Sequence, residues 1–141
     1  MSLLGLNNKQ LPDFTGRASF VALKKASEQT QNDIHFEMEH LVQLSKVNRS
    51  PIALQKHRPP SGNWRLRWRV KRGLNNSHVL WSDLQDDLQS LPVAISQHYG
   101  RLNRRCEELN HLDIMVQHTI KWCAIYLGQQ SSRTMPGSDE A

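Results

Sequence analysis

A chain of 141 residues, 38% apolar, 22% charged and 6% aromatic, is long enough for one domain with a real core and too apolar for the disordered class. No apolar run approaches the ~18 residues of a membrane span, and two cysteines, Cys106 and Cys123, are too few for a disulfide scaffold or a four-cysteine zinc site. The net charge is +5, and the N-terminal Met1-Ser-Leu-Leu-Gly-Leu lacks the basic start of a secretory signal, so the expected setting is the reducing cytoplasm, with no membrane partner.

Residues 1–18 scatter Leu3, Leu4, Leu6, Leu11 and Phe14 among Gly, Asn and Pro, the pattern of an arm. Phe20, Leu23, Ile34, Met38, Leu41 and Leu44 then keep one stripe, which predicts a helix over 18–46. Ser27 and Thr30 fall on that stripe and weaken it. Residues 47–63 hold Pro51, Pro59 and Pro60, which preclude a helix and predict a connector.

Trp64-Arg65-Leu66-Arg67-Trp68-Arg69-Val70-Lys71-Arg72 alternates strictly. Trp64, Leu66, Trp68 and Val70 share one side, Arg65, Arg67, Arg69 and Lys71 the other. Period two predicts a strand with one buried face and one cationic face. Gly73-Leu74-Asn75-Asn76 supplies turn chemistry; after it, either 77–81 return as a shorter strand to give a hairpin, or Leu80-Trp81 lead directly into the next helix.

Ser82-Asp-Leu-Gln85 has the form of a capping box before a short helix, 83–89. Ser90 with Pro92 suits the start of a second long helix, 91–127, ending before Gly128. Its apolar positions, from Ile95, Tyr99, Leu102, Cys106 and Leu109 to Val116, Ile120, Cys123 and Leu127, alternate spacings of four and three, with Asp113 out of pattern. Residues 129–141 read as a disordered tail. The fold class expected is α+β, mainly helical: two long antiparallel helices, a short helix and a small β-hairpin in a single domain, 1–128. So long a seam also suggests a homodimer through the 91–127 helix.

Charge is segregated. No acidic residue lies between Glu39 and Asp83, a window with nine of the 18 cations. The remainder, with the other nine cations and all 13 acids, carries −4. Solvated faces usually mix both signs; an unneutralised block attracts phosphate or an acidic partner.

Pro51-Ile52-Ala53-Leu54, the Leu66-Arg67-Trp68-Arg69 strand, Val79-Leu80-Trp81 and a long helix carrying Leu109-Asn110 and His118 together resemble an uncharacterised bacterial protein family found in integrating conjugative elements. The resemblance covers roughly residues 47–127. It implies a bacterial mobile-element protein of DNA transfer or maintenance, and it brings no catalytic residues.

The residue reading points to non-enzymatic, sequence-tolerant binding of nucleic acid, DNA foremost. The expected contacts are Arg65, Arg67, Arg69 and Lys71, helped by Arg72, Lys56 and Arg58. Burial of Trp64 and Trp68 against the helices is the default, base stacking the alternative. The other function class is an interaction module whose basic face docks an acidic partner, such as a replication or transfer protein, and whose long helix dimerises.

Other constellations have blander readings. Arg101, Arg104 and Arg105 stand beside Glu107 and Glu108, as for local ion pairs. Glu37-x-x-His40 and Glu108-x-x-His111 have the spacing of di-iron ligands, but both lie off the apolar stripes. His111 and His118 share a helix face without a third ligand, and His118 is expected to be partly buried. Cys106 and Cys123 sit on core positions as inert thiols. No catalytic residue, metal or cofactor is expected.

Overall fold

The structure, a computed structural model, describes residues 16–60 and 62–134. The elements are α1 (Gly16–Ser45), β1 (Ile52–His57), β2 (Arg65–Arg72), β3 (Asn75–Val79), a 3-10 turn (Trp81–Leu84) running into α2 (Gln85–Gln89), and α3 (Val93–Thr134). The chain is α+β and mostly helical: two long helices packed together, a short helix, and a three-stranded antiparallel sheet ordered β1-β2-β3. Among the described residues no helix is long and apolar enough to cross a membrane.

Several boundaries differ from expectation. Of the arm, residues 1–15 lie outside the described residues, and 16–18 open α1. Of the tail, residues 135–141 lie outside them, while 129–134 are helical. Gly128 therefore does not end α3; one glycine costs about 1 kcal/mol against Ala, and its neighbours Leu127 and Gln129 are good helix formers. Leu44 is exposed, as is His118. Ser90 caps the end of α2, its Oγ donating to Asp87 O at 2.7 Å. Entry to the 3-10 turn is held not by Ser82 but by Asp83, whose Oδ2 accepts from Leu80 N–H at 3.3 Å.

The proline-rich connector contains a strand. Pro51 and Pro59 stand outside β1, where proline is tolerated, and between them Ile52 and Leu54 are buried on one side of the pleat. The register runs from Ile52↔Val70 to His57↔Arg65. On the other side of β2, Trp68↔Val79 to Arg72↔Asn75 leaves a two-residue turn, Gly73-Leu74. Gly73 has φ +61°, the first central position of a II′ turn, which suits glycine.

The chain forms two compact units, divided within both long helices. One unit joins α1 up to Gln31 with α3 from Val116. There Phe20 stacks on Tyr126 at 3.8 Å, and Gln31 Nε2 donates to Gln117 Oε1 at 2.7 Å. Ser19 and Ser27 are buried with Cys123, so Ser27 belongs to the seam it was expected to interrupt.

The other unit, Asn32–Met115, holds the sheet. Its core joins Ile34, Met38 and Leu41 of α1, Ile52 and Leu54 of β1, Leu66, Trp68 and Val70 of β2, and Tyr99, Leu102, Cys106 and Leu109 of α3. Each such side chain contributes about 1.5–3 kcal/mol on burial. In both units the partners run in opposite order along α1 and α3, so the helices are antiparallel. The α3 seam from Tyr99 to Leu109 is covered within the chain, which removes that stretch from the argument for a dimer. Ser45, fully buried at the end of α1, donates from Oγ to Val42 O at 2.7 Å and accepts from Leu54 N–H at 2.8 Å. One hydroxyl thus ends the helix and satisfies β1. The Tyr99 hydroxyl hydrogen-bonds both Ser50 Oγ (2.6 Å) and the Ile52 carbonyl oxygen (2.9 Å).

Candidate nucleic-acid interface

β2 alternates as its sequence demands: Leu66, Trp68 and Val70 are buried, Arg67 and Arg69 half-buried, Arg65 and Lys71 exposed. Same-face residues recur every ~6.8 Å along a strand, so the four cations form a row. Ala53, Gln55 and His57 of β1 stand opposite Arg69, Arg67 and Arg65, and His78 of β3 stands opposite Arg69. None of the three strands contains an acidic residue. Among the described residues Arg65, Arg67 and Lys71 make no ion pair with a carboxylate.

Two histidines flank the row. His57 and His78 come from strands on opposite sides of β2, yet their ring centroids are 5.9 Å apart, edge to face. Arg67 Nη2 hydrogen-bonds His78 Nε2. A guanidinium only donates, so Nε2 accepts and the imidazole is neutral, with its proton on Nδ1. Among the described residues that Nδ1 and Arg67 Nε are buried without a hydrogen-bond partner. Burial, then the charges of Arg69 and Arg65, push the Arg67 pKa below its ordinary value. Burial and then Arg67, Arg65 and Arg69 lower that of His57; burial and then Arg67, Arg69 and His57 lower that of His78. The face is a cluster of like charges in a partly dry setting, and an anion relieves that repulsion.

The structure brings together Arg65, Arg67, Arg69 and Lys71 and sets the three expected helpers apart. Lys56 shares the parity of Ile52 and Leu54; its Nζ faces Glu39 Oε1 at 3.4 Å and lies 4.7 Å from the centre of the Trp64 ring. Arg58, beyond the strand end, also lies over Trp64, at 5.9 Å. Arg72 shares the parity of Trp68 and Val70, and its Nη2 donates to Asp87 Oδ2 at 2.8 Å. Charge content alone grouped these residues with the row; strand parity separates them. His57 and His78 were missed because only the register shows that they border it.

The row rests on a fixed platform. Trp68 is buried, its Nε1 donating to Asn103 Oδ1 at 2.9 Å, its ring edge-on to Tyr99 at 5.6 Å and tilted against Trp81 at 5.2 Å. Trp68 is therefore support and not a stacking surface, whereas Trp64 is half-buried beside two cations. Beyond the last β3 pair, Asn110 takes the place of a neighbouring strand. Its Oδ1 accepts from Leu66 N–H at 2.8 Å, and its Nδ2 donates to Leu66 O at 3.1 Å.

The second basic cluster is structural at Arg105, which holds Glu37 through two hydrogen bonds and Glu108 through one of 3.1 Å. Those bonds raise the Arg105 pKa and lower that of Glu37. Both Glu-x-x-His glutamates are thereby engaged. Among the described residues no group of three or more His, Cys, Asp or Glu is placed to hold a metal. Burial, followed by the charge of Glu107, pushes the Cys106 thiol up to about 12, and burial also raises that of Cys123. Iodoacetamide at about pH 8 is therefore expected to leave both thiols intact in the folded protein and to alkylate both in denaturant. Rapid labelling of the native protein would contradict this.

Comparison with protein-family models, with curated proteins and with solved structures finds no match.

Proposed function

We propose that this chain is a non-enzymatic nucleic-acid-binding protein that holds phosphates on the β2 face through Arg65, Arg67, Arg69 and Lys71. One observation carries the reading: four cations share one face of a sheet that has no carboxylate in any strand. Guanidinium contacts to phosphate position a backbone without reading bases, so this contact is sequence-tolerant. The resemblance of residues 47–127 to a family of integrating conjugative elements supports DNA as the ligand and mobile-element maintenance or transfer as the setting.

Fluorescence anisotropy with single- and double-stranded oligonucleotides over a range of salt tests this. Four neutralised phosphates give a log–log salt slope of about −3.6 on duplex and about −2.8 on a single strand. Failure to bind either at low salt and micromolar protein would overturn the proposal. Binding of a carboxylate-rich peptide instead would make the ligand an acidic protein segment.

Binding should also depend on pH. With pKa values below 6.5, His57 and His78 are neutral near pH 7. A phosphate beside them favours their protonated forms, so binding takes up protons and affinity rises as pH falls below about 6.5. The free protein behaves oppositely. Its unfolded chain binds protons first, at the ordinary histidine value, so stability falls as pH drops from about 6.5 through the lowered folded values. Replacing both histidines with Gln should flatten both profiles, measured by anisotropy and thermal melts.

A further inference from the structure

Beside the cationic row the sheet stops short. Pairing of β2 with β3 ends at Trp68↔Val79, and the chain then leaves for the 3-10 turn at Trp81. Between the first residues of β2, this turn and α3 lies a groove of about 520 Å³. Arg65, Arg67 and His78 bring the phosphate-facing row to one side of it; Trp81, Asp83 and Glu107 are among the residues that line its other walls. A volume of this order is ample for one nucleobase.

Arg65 and Arg67 supply donors on the side of the row, and the opposite edge of the groove presents acceptors. The amides of Asn103 and Asn110 are already engaged by Trp68 Nε1, Glu107 and the Leu66 backbone. Among the described residues the two carboxylates are only partly engaged. Glu107 Oε1 accepts from Asn103 Nδ2 at 3.2 Å, and Asp83 Oδ2 accepts from Leu80 N–H at 3.3 Å. Their second oxygens remain acceptors, and an ionised carboxylate cannot donate. The Trp81 ring, half-buried and tilted on Trp68 at 5.2 Å, adds an aromatic wall. The groove therefore combines cations at the rim for phosphate, an indole for a base face, and acceptors for a base edge.

We propose that the groove takes one unstacked, amine-bearing base of the strand whose phosphates lie on Arg65 and Arg67. This rests on the nucleic-acid reading above and adds a base preference to it. Cytosine, adenine and guanine offer an exocyclic amine to Glu107; thymine and uracil offer a carbonyl oxygen at the matching edge, which a carboxylate repels. The indole contributes to every base alike.

The test compares oligo(dC) with oligo(dT) of equal length by anisotropy at about pH 7.5, where cytosine is neutral, using the wild-type chain and Glu107→Gln. The exposed position of Glu107 lets the variant fold, and a thermal melt checks it. Wild type should bind oligo(dC) about tenfold more tightly than oligo(dT). Glu107→Gln, whose amide can donate to thymine, should bring the ratio to about one or below. Loss of a negative charge strengthens both complexes alike, so the ratio isolates the base edge. Equal binding of the two strands by wild type, or an unchanged ratio in the variant, would overturn the base site while leaving the phosphate reading intact. Failure to bind either strand would overturn the base site, and failure to bind duplex as well would overturn the phosphate reading.

Discussion

Reversing two charges, Arg65→Glu with Lys71→Glu, is expected to weaken oligonucleotide binding about 100-fold near physiological salt and to move the thermal midpoint by no more than about two degrees. These positions are chosen because both are exposed and neither makes an ion pair among the described residues. Arg67 is the less clean choice: it is half-buried and bonded to His78, so its loss also alters an imidazole. Each phosphate contact removed should lower the salt slope by about one, so the double variant should retain about half the slope. A variant that unfolds would make the row structural. A variant that folds and binds with the wild-type slope would place the nucleic acid elsewhere.

The pH profile and the charge reversal report on the same face through different groups. Reversal removes fixed charge at the ends of the row, whereas titration adds charge beside its centre, where His57 and His78 lean together across β2. Both effects weaken at high salt if they act through phosphate. A pH effect that survives high salt would instead indicate a change in the fold, and melts of the free protein would show it.

The parts legible in the sequence were those in which one pattern dominates its neighbourhood. β2 was legible because charge and apolarity alternate without a break, and α3 because its stripe repeats over many turns. β1 was not, since six residues with two large apolar side chains between prolines look like a connector until a partner strand supplies hydrogen bonds. The division of the cations was half legible: parity along β2 could have separated Arg72 from the row, whereas Lys56 needed β1 to be recognised first. Asn103 and Asn110 carry no periodic signal, although they fix Trp68 and Leu66. Ser27 and Asp113 looked like breaks because polarity was taken for exposure, yet both are buried.

Asp113 carries the largest expected effect on stability. It sits where the α3 stripe through Leu102, Cys106 and Leu109 calls for an apolar side chain, and it is 0% exposed. His35 Nε2 of α1 lies 2.8 Å from its Oδ1. Removing one partner of a buried pair strands the other, at a cost of about 3–5 kcal/mol when burial is complete. The His35 side chain is 23% exposed, which favours the lower end. Asp113→Ala should therefore cost about 3 kcal/mol, a fall of about 10 °C in the melting midpoint for a chain of this size. Asp113→Asn keeps an acceptor for His35 and should cost less than half as much. Replacing both residues with Leu removes the buried polar groups and fills the seam, so the double variant should melt near or above wild type, because a buried polar pair rarely outperforms well-packed apolar side chains. If Asp113→Ala costs under about 1 kcal/mol, the pair does not hold α1 to α3. If the double Leu variant is as unstable as the alanine, the pair contributes more than packing can replace.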